Sequence, residues 1–282
     1  MKLVLFDIDG TLLNTGAFGV PSLAKAVENI TGKTPKYDLN ELIGVSDKKN
    51  FAYMYKCAAG KAPTAKQLKE VKEEYLKLLP EELESLQKSK KYKAASGVED
   101  FIKTLLKYPD VKLGLATGNV EEAAKIKLES AGLAKYFVTG GFGWDAEKRP
   151  QLLAAAVKRA GKEFKHAFKP EEVFVIGDTH LDVMAAKENG YHSAVVKEAG
   201  LADKERLLRA AAEAEVEDFK DQEVLLVWLD LKQDPKGVEK GSYIMPASAI
   251  EHVFFSRTGI DEQRLKMFRI KKYSDLESGK IW

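Results

Sequence analysis

Leu3-Val4-Leu5-Phe6-Asp7-Ile8-Asp9-Gly10-Thr11 is an apolar run that ends in two carboxylates and a glycine. The apolar part predicts a short buried strand, and Gly10 ends it. In open α/β sheets, ligands bind at the C-terminal ends of strands, which is where this pattern leaves Asp7 and Asp9. Such a pair can bind a divalent cation, or one carboxylate can attack an electrophile while the other moves a proton. An acidic β-turn explains the same residues, so this stretch alone leaves both interpretations open.

Three later segments extend the pattern and support the chemical interpretation. They are Thr117-Gly118-Asn119 after the apolar run 111–116, Arg149 before Pro150, and Asp178 after the apolar run 173–177, with Asp182 four residues later. In order and spacing, the four segments resemble the motifs of the haloacid dehalogenase-like (HAD) hydrolase superfamily. The resemblance extends from residue 3 to about residue 230. It is greatest to the helical-cap branch that contains phosphoglycolate phosphatase and β-phosphoglucomutase.

The resemblance implies a role for each motif residue. Asp7 is the implied nucleophile, and Asp9 is the implied acid and base that protonates the leaving oxygen and then deprotonates the attacking water. The implied phosphate-binding residues are Gly10, Thr11, Thr117, Gly118 and Asn119. The implied cofactor is Mg²⁺, with Asp7, the backbone carbonyl of Asp9, Asp178 and, in a supporting role, Asp182 as its ligands.

The third motif requires a cation that neutralises charge on the nucleophile and on the transferring phosphoryl group. Arg149 and Lys148 are the two candidates. We favour Arg149, because Arg149-Pro150 then begins a helix with proline at its first position, where its missing N–H costs nothing.

Asp9 decides which reaction the resemblance implies. Haloalkanoate dehalogenases and phosphonatases resemble this chain but lack the second aspartate, whereas an alkoxide that leaves a phosphate ester must be protonated. The expected function is therefore a Mg²⁺-dependent phosphatase that hydrolyses a small phosphorylated metabolite through an aspartyl-phosphate. A phosphomutase of the β-phosphoglucomutase type is the alternative. A catalytically silent binding protein with the same fold is disfavoured, because every catalytic motif is intact.

Bulk composition fits a soluble globular protein. The chain has 282 residues, of which 45% are hydrophobic and 31% are charged, and its net charge is +2. This charge argues against a role in binding nucleic acid or anionic membranes. No apolar run approaches the about 20 residues that span a bilayer, and Asp7 and Asp9 interrupt the only segment that resembles a signal peptide. A single cysteine, Cys57, forms no intrachain disulfide, so we expect a cytoplasmic protein. We also expect it to be a monomer or a homodimer.

Alternating strand and helix patterns predict an α/β fold, a parallel Rossmann-like sheet covered by helices. Predicted strands are 3–6, 111–116, 136–138, 172–176 and 192–196, and predicted helices include 120–131, 150–160 closed by Gly161, and 180–188. Residues 16–92 contain helical patterns only, at 23–31, 47–58 and 64–79, the last stopped by Pro80. The resulting domains are a HAD-like core at 1–15 and 93–234, an α-helical cap at 16–92, and an extension at 235–282.

Two features of the predicted cap bear on function. Ser46 and Asp47 resemble a cap segment that faces the active site and contacts the leaving group, although both residues also favour a helix N-cap. Residues 16–19 contain two glycines that could form a hinge for cap closure. The extension, with possible strands at 251–256 and 264–270, matches no family motif, and we expect it to pack on the core without a chemical role.

Overall fold

The structure is a computed structural model that describes residues 1–14, 18–88, 92–199 and 204–232. The strands are β1 (Lys2–Phe6), β2 (Leu13–Asn14), β3 (Lys93–Ala94), β4 (Val111–Ala116), β5 (Gly140–Gly141), β6 (Val173–Gly177), β7 (His192–Val196) and β8 (Ala214–Val216). The helices are α1 (Val20–Thr31), α2 (Asp47–Ala59), α3 (Ala65–Lys88), α4 (Val98–Leu105), α5 (Glu121–Ser130), α6 (Arg149–Glu163), α7 (His180–Glu188), α8 (Lys204–Ala210) and α9 (Gln222–Trp228).

Six strands form a parallel sheet in the order β5-β4-β1-β6-β7-β8. Strand β1 lies inside it, with Leu5 paired to Gly114 of β4 and to Val175 of β6. Alternate residues of β1 enter two different hydrophobic clusters, one on each face of the sheet. A strand buried on both faces reads as a continuous apolar run, so the structure confirms the predicted parallel α/β fold.

The C-terminal ends of three strands meet at one edge of this sheet. Asp7 follows β1, Thr117 follows β4 and Asp178 follows β6, and β1 is the neighbour of both other strands. Parallel pairing therefore brings together polar residues that lie far apart in the sequence, at positions 7, 117 and 178.

Helices α1, α2 and α3 form an insertion between β2 and β3. These two short strands pair antiparallel, Leu13 with Ala94 and Asn14 with Lys93, in a ribbon that the sequence did not predict. Helix α1 packs against both α2 and α3. The ribbon joins the two ends of the insertion beside β1, and the insertion is helical as expected. The boundaries of a separate cap domain at 16–92 stay a prediction.

Two predicted helix ends were wrong. Helix α3 continues through Pro80 to Lys88, because the exposed Pro80 lies between Leu79 and Leu83, which both extend the buried stripe of the helix. Helix α6 continues through Gly161 to Glu163, since Phe164 packs against the core just beyond it. In both cases burial of flanking apolar residues outweighs the local preference of proline or glycine.

The predicted strand at 136–138 was also wrong. Ala134–Tyr136 form a single 3₁₀ turn, and the side chain of Val138 is 65% exposed. The edge strand is instead Gly140–Gly141, which pairs with Leu115 and Ala116 of β4. Two glycines give no hydrophobic signal, so only the pairing with β4 reveals this strand.

Some predictions lie outside the described residues. They are the extension at 235–282, with its possible strands at 251–256 and 264–270, and Gly16 of the proposed hinge. Gly19 is described: it precedes α1 in a left-handed conformation, with φ of 94°. Within the described ranges, none of the helices combines the length and the apolar character needed to cross a bilayer.

Phe6 of β1 contacts two other aromatic rings, Phe101 of α4 and Phe219. The Phe101 ring of α4 stacks on Phe219 at 5.4 Å between centroids and meets Phe6 edge-on at 6.4 Å. All three side chains are fully buried. This cluster anchors α4, the helix that follows the return of the insertion.

Replacement of Phe101 by alanine should lower the free energy of unfolding by about 3–5 kcal/mol, because it leaves a cavity among well-packed rings. Urea unfolding followed by circular dichroism measures the change. Leu106→Ala is the control, since Leu106 is 51% exposed and follows directly on α4. Equal losses in the two variants would contradict the assigned role of the cluster.

Candidate active site

Asp7 begins the loop that follows β1. Its N–H donates to the carbonyl of Ile176 at 3.0 Å, and its Oδ1 accepts from the N–H of Ile8 at 2.7 Å. Gly10 lies in the same loop with φ of 83°, and a Cβ there would fall 2.1 Å from Asp178 Oδ2. Only glycine therefore permits the approach of the β1 loop to the end of β6.

Three carboxylates converge at this edge of the sheet. One oxygen from each of Asp7, Asp178 and Asp182 lies within 4.8 Å of the others, and all three side chains are buried. Asp182 lies in the first turn of α7 and accepts from the N–H of Thr179 at 3.1 Å and from its Oγ1 at 2.7 Å. These bonds turn the Asp182 carboxylate towards the end of β6.

Arg149 is the cation that faces the cluster. Its Nη2 donates to Asp7 Oδ2 at 2.6 Å and to Asp182 Oδ1 at 2.5 Å. Arg149 is the first residue of α6, so Pro150 takes the second position of the helix and not the expected first, and Lys148 is the N-cap residue. The geometry therefore favours Arg149 over Lys148 as the third-motif cation.

Burial dominates the electrostatics of the cluster. It raises the pKa of Asp7 to about 6, with Asp182 and Asp9 adding to the shift and Arg149 opposing it. The pKa of Asp178 is also raised well above its usual range, first by burial and then by the charges of Asp182 and Asp7. One guanidinium does not balance this many carboxylates, so the site favours an added cation.

The cluster fits a divalent metal ion. Asp178 Oδ1 is buried and has no hydrogen-bond partner among the described residues. Oxygen atoms, those of carboxylates among them, are the ligands that Mg²⁺ takes. Asp178 would offer its Oδ1 oxygen, and Asp7 would offer one of its own beside it. The predicted ligands Asp7, Asp178 and Asp182 are thus brought together, although Asp182 is already engaged by Arg149 and Thr179.

The Asp9 side chain points to a different set of partners. Its Oδ2 accepts from Asn119 Nδ2 and from Lys127 Nζ, both at 2.7 Å. Asn119 Nδ2 also donates to Thr117 Oγ1 at 2.8 Å. The loop after β4 therefore connects Thr117, one of the predicted phosphate ligands, to the carboxylate predicted to move protons.

The remaining predicted phosphate ligands differ in their availability. The N–H groups of Gly10 and Thr11 donate to Leu13 and Ile8 inside their own turn. Thr11 Oγ1 is buried without a partner among the described residues. Gly118 approaches the backbone of the insertion, since a Cβ there would meet Val45 O at 2.9 Å.

Sequence reasoning missed Lys127. It lies on α5 between the apolar residues Ala124 and Leu128, and its side chain is 2% exposed. A lysine on the buried stripe of an amphipathic helix is the signal that could have found it, since lysine is rarely buried unless it has a partner.

The insertion contacts the site through the start of α2. Ser46 is the N-cap residue of α2, but its Oγ makes no cap hydrogen bond. Asp47 N donates to Gly118 O at 2.7 Å, and Asp47 Oδ2 accepts from Val120 N at 2.8 Å. Burial raises the pKa of Asp47 to about 6. Asp47 thus caps α5 of the core from the insertion, a role that neither sequence interpretation contained.

A cavity of about 330 Å³ lies between the insertion and the sheet edge. Its lining includes the catalytic candidates Asp7, Asp9, Thr117, Arg149 and Asp178. The insertion contributes mostly apolar residues, among them Phe18, Leu23, Leu42, Ile43 and Phe51, together with Asp47, Asn50 and Tyr75. This cavity has room for a small ligand beside the acidic cluster.

Comparison with known proteins agrees with this geometry. Residues 4–196 match the family described as haloacid dehalogenase-like hydrolase. A curated relative, the pyrophosphatase PpaX of Halalkalibacterium halodurans, is 28% identical over 200 residues, which are 70% of this chain and 83% of the relative.

Solved structures show the same fold. A predicted phosphoglycolate phosphatase from Haemophilus somnus superposes with a TM-score of 0.59 at 19% identity, covering 80% of this chain and 97% of that one. A candidate β-phosphoglucomutase from Thermotoga maritima superposes with a TM-score of 0.52 at 26% identity, covering 82% and 100%.

Asp178→Asn should raise the melting temperature of the metal-free protein at pH 7.5. The raised pKa of Asp178 means that the folded state disfavours the ionised carboxylate. Asp178 therefore lowers the stability of the folded protein as the pH rises above 3.8, the pKa of this carboxyl in the unfolded chain. The amide carries no such penalty, and each kcal/mol of relief is worth about 2–4 °C.

Thermal melts in EDTA and in Mg²⁺ measure this effect. The difference between variant and wild type should shrink towards pH 4, and Mg²⁺ should stabilise the wild type more than the variant. Asp110→Asn is the control, because Asp110 is an exposed aspartate in the loop before β4. A variant that melts below the wild type in EDTA would contradict the proposed imbalance of charge.

Proposed function

The chain belongs to the haloacid dehalogenase-like hydrolases, and we propose that it is a Mg²⁺-dependent phosphatase that hydrolyses a small phosphorylated metabolite through an aspartyl-phosphate. The observation that carries the proposal is the contact of Arg149 with the buried carboxylates of Asp7 and Asp182, next to buried Asp178. Asp7, Asp178 and Arg149 line the cavity. A carboxylate nucleophile beside a guanidinium and a metal site matches the chemistry of phosphoryl transfer, in which charge stabilisation supplies most of the catalysis.

Asp7 acts first in the proposed reaction. Its carboxylate oxygen attacks the phosphorus, the bond from phosphorus to the leaving oxygen breaks, and Asp9 gives its proton to that oxygen. Arg149, which donates to Asp7 Oδ2, holds the nucleophile in place and offsets the negative charge that gathers on the phosphoryl oxygens.

Asp9 acts again in the second step. It takes a proton from a water molecule that attacks the phosphorus of the aspartyl-phosphate. The bond between phosphorus and the Asp7 oxygen then breaks, which releases inorganic phosphate and restores the Asp7 carboxylate, while Asp9 is again protonated. Bound at Asp7 and Asp178, Mg²⁺ would supply the positive charge that a dianionic phosphate needs beside a carboxylate.

The cavity limits the substrate. A volume of about 330 Å³ lies at the lower end of the range for small-molecule sites, which favours a short leaving group. Contacts from α2 to the loop after β4 cover the site with the insertion, and such a cover keeps bulk water from the phosphoryl group.

A phosphomutase is the second candidate, because the candidate β-phosphoglucomutase of T. maritima shares the fold at 26% identity. It would use Asp7 and Asp9 in the same way but return the phosphoryl group to a sugar. A phosphatase releases one inorganic phosphate for each ester consumed, whereas a mutase isomerises a sugar phosphate without net release. A phosphate assay alongside product identification separates the two.

Asp7→Asn should lower the hydrolysis of phosphate monoesters by at least about 10³-fold, because the amide is not a nucleophile. Phosphate release from a panel of phosphorylated metabolites and from p-nitrophenyl phosphate measures the loss. Circular dichroism checks the fold, and Asp110→Asn again serves as the control. Turnover of Asp7→Asn near the wild-type rate would rule out the covalent mechanism.

Removal of divalent metal should abolish turnover, and Mg²⁺ should restore it. The phosphate dianion and Asp7 repel each other, and Arg149 already shares its charge with Asp182. The measurement is phosphate release in EDTA, followed by titration with Mg²⁺, with metal content checked by elemental analysis. Asp178→Asn should need more Mg²⁺ for half-maximal rate. Full activity in a protein shown to be metal-free would contradict the metal site.

A further inference from the structure

Lys127 places a buried positive charge in the cavity, apart from the acidic cluster. Its side chain is 2% exposed, yet it lines the same cavity as Asp7 and Asp178. Burial of an ammonium is costly unless it is paired and hydrogen-bonded. A lysine on the buried face of α5 is therefore expected to have a functional role that offsets this cost.

Three groups hold the ammonium in position. Lys127 Nζ donates to Asp9 Oδ2 and to Asn119 Oδ1, each at 2.7 Å, and lies 5.1 Å from the centre of the Phe18 ring. Asn119 is fixed in turn by its bond to Thr117 Oγ1. Asn119 and Phe18 would therefore keep the ammonium in the cavity even when Asp9 moves away from it.

The charge of Lys127 lies beside the second aspartate of the motif and not beside the proposed nucleophile. Among the described residues that line the cavity, Arg149 and Lys127 are the cations, and Arg149 is engaged by Asp7 and Asp182. Lys127 is instead next to Asp9, whose carboxylate must reach the leaving oxygen. With hydrogen bonds of about 2.7–3 Å on each side of Asp9, the ammonium lies within roughly 5–7 Å of that oxygen.

We propose that Lys127 determines specificity by binding a second anionic group on the leaving group of the substrate, one or two carbons from the ester oxygen. The preferred substrates are phosphate esters of short hydroxy acids or of small alcohols that carry another phosphate. This inference rests on the proposed phosphatase function. The anionic group of the substrate replaces Asp9 as the partner of Lys127, and Asp9 is then free to turn to the leaving oxygen.

Other groups around the cavity limit where this anion can lie. Asp47, on the insertion side, is itself within the electrostatic reach of Lys127: burial raises the pKa of this carboxyl, and Lys127 opposes the shift. The Asp47 carboxylate would repel an anion on that side, and Phe18 and Leu23 offer only apolar contact. The space beside Asn119 and Lys127 is therefore the favourable position. A buried charge pair of this kind discriminates strongly against a neutral analogue, because the neutral analogue leaves the ammonium without its partner.

Matched pairs of substrates test the proposal. The pairs are phosphoglycolate with its carboxamide, and 3-phosphooxypropanoate with its carboxamide, which differ in charge but hardly in shape. In at least one pair the wild type should prefer the carboxylate by about tenfold or more in kcat/KM, as expected for a charged hydrogen bond. A wild type that hydrolyses the amide as well as the carboxylate in both pairs would overturn the proposal.

Lys127→Met then tests the residue. The variant should lose the preference, with a ratio near one, mainly through a higher KM for the carboxylate. Lys125→Met is the matched control, because Lys125 lies on the same helix with its side chain 72% exposed, and it should keep the wild-type ratio. Retention of the preference in Lys127→Met would assign recognition to another residue and overturn the proposal.

The two proposals fail in different ways. If wild type hydrolyses p-nitrophenyl phosphate but shows no preference within either pair, the specificity role of Lys127 is wrong and the phosphatase proposal stands. If wild type with Mg²⁺ hydrolyses none of the esters, the phosphatase proposal fails and the inference on Lys127 fails with it. Lys127→Gln, checked by circular dichroism, replaces Lys127→Met if the latter does not fold.

Discussion

The crowding of acidic side chains at the C-terminal edge of the sheet is the constraint on which the rest of the site depends. Oxygens of Asp7, Asp178 and Asp182 lie within 4.8 Å of one another in a buried position, and Arg149 is the cation that faces them. Mutual repulsion and burial both act against the ionised cluster. The sheet carries this cost because parallel pairing of β1 with β4 and β6 fixes the strand ends next to one another. A bound cation would relieve the repulsion among these carboxylates, so the same excess of negative charge favours cation binding.

Close backbone approach is the second requirement of the site. Gly10 allows the β1 loop to pass Asp178, and a Cβ at Gly143 would fall 1.8 Å from Gly118 O. Gly118 in turn touches the insertion at Val45. These glycines bring loops from three parts of the chain into contact without side chains between them. The insertion can therefore lie directly over the loop after β4, and Asp47 can cap α5 from the insertion.

The two buried cations of the cavity have separate surroundings. Arg149 at the start of α6 interacts with the nucleophile and with Asp182, whereas Lys127 on α5 interacts with Asp9 and Asn119. The two aspartates of the first motif are thus held by different cations, although they are two residues apart in the chain. The loop that follows β1 directs Asp7 towards Arg149 of α6 and Asp9 towards Asn119 in the loop after β4. This separation suits the proposed mechanism, in which one aspartate acts as the nucleophile and the other as the acid and base.

The sequence by itself determined the central strands of the sheet and the polar residues at their C-terminal ends. Apolar runs before Asp7, Thr117 and Asp178 mark strands buried on both faces, and such strands need no tertiary information to be recognised. Local pattern failed where burial of neighbouring residues overrode it, as at Pro80, or where a strand had no side chains, as at Gly140–Gly141. Only the tertiary structure decided that Arg149 rather than Lys148 faces Asp7, that Asp47 caps α5, and that Lys127 pairs with Asp9. These are contacts between residues up to 142 positions apart, and their geometry depends on how helices pack on the sheet, which periodicity along a single segment does not encode.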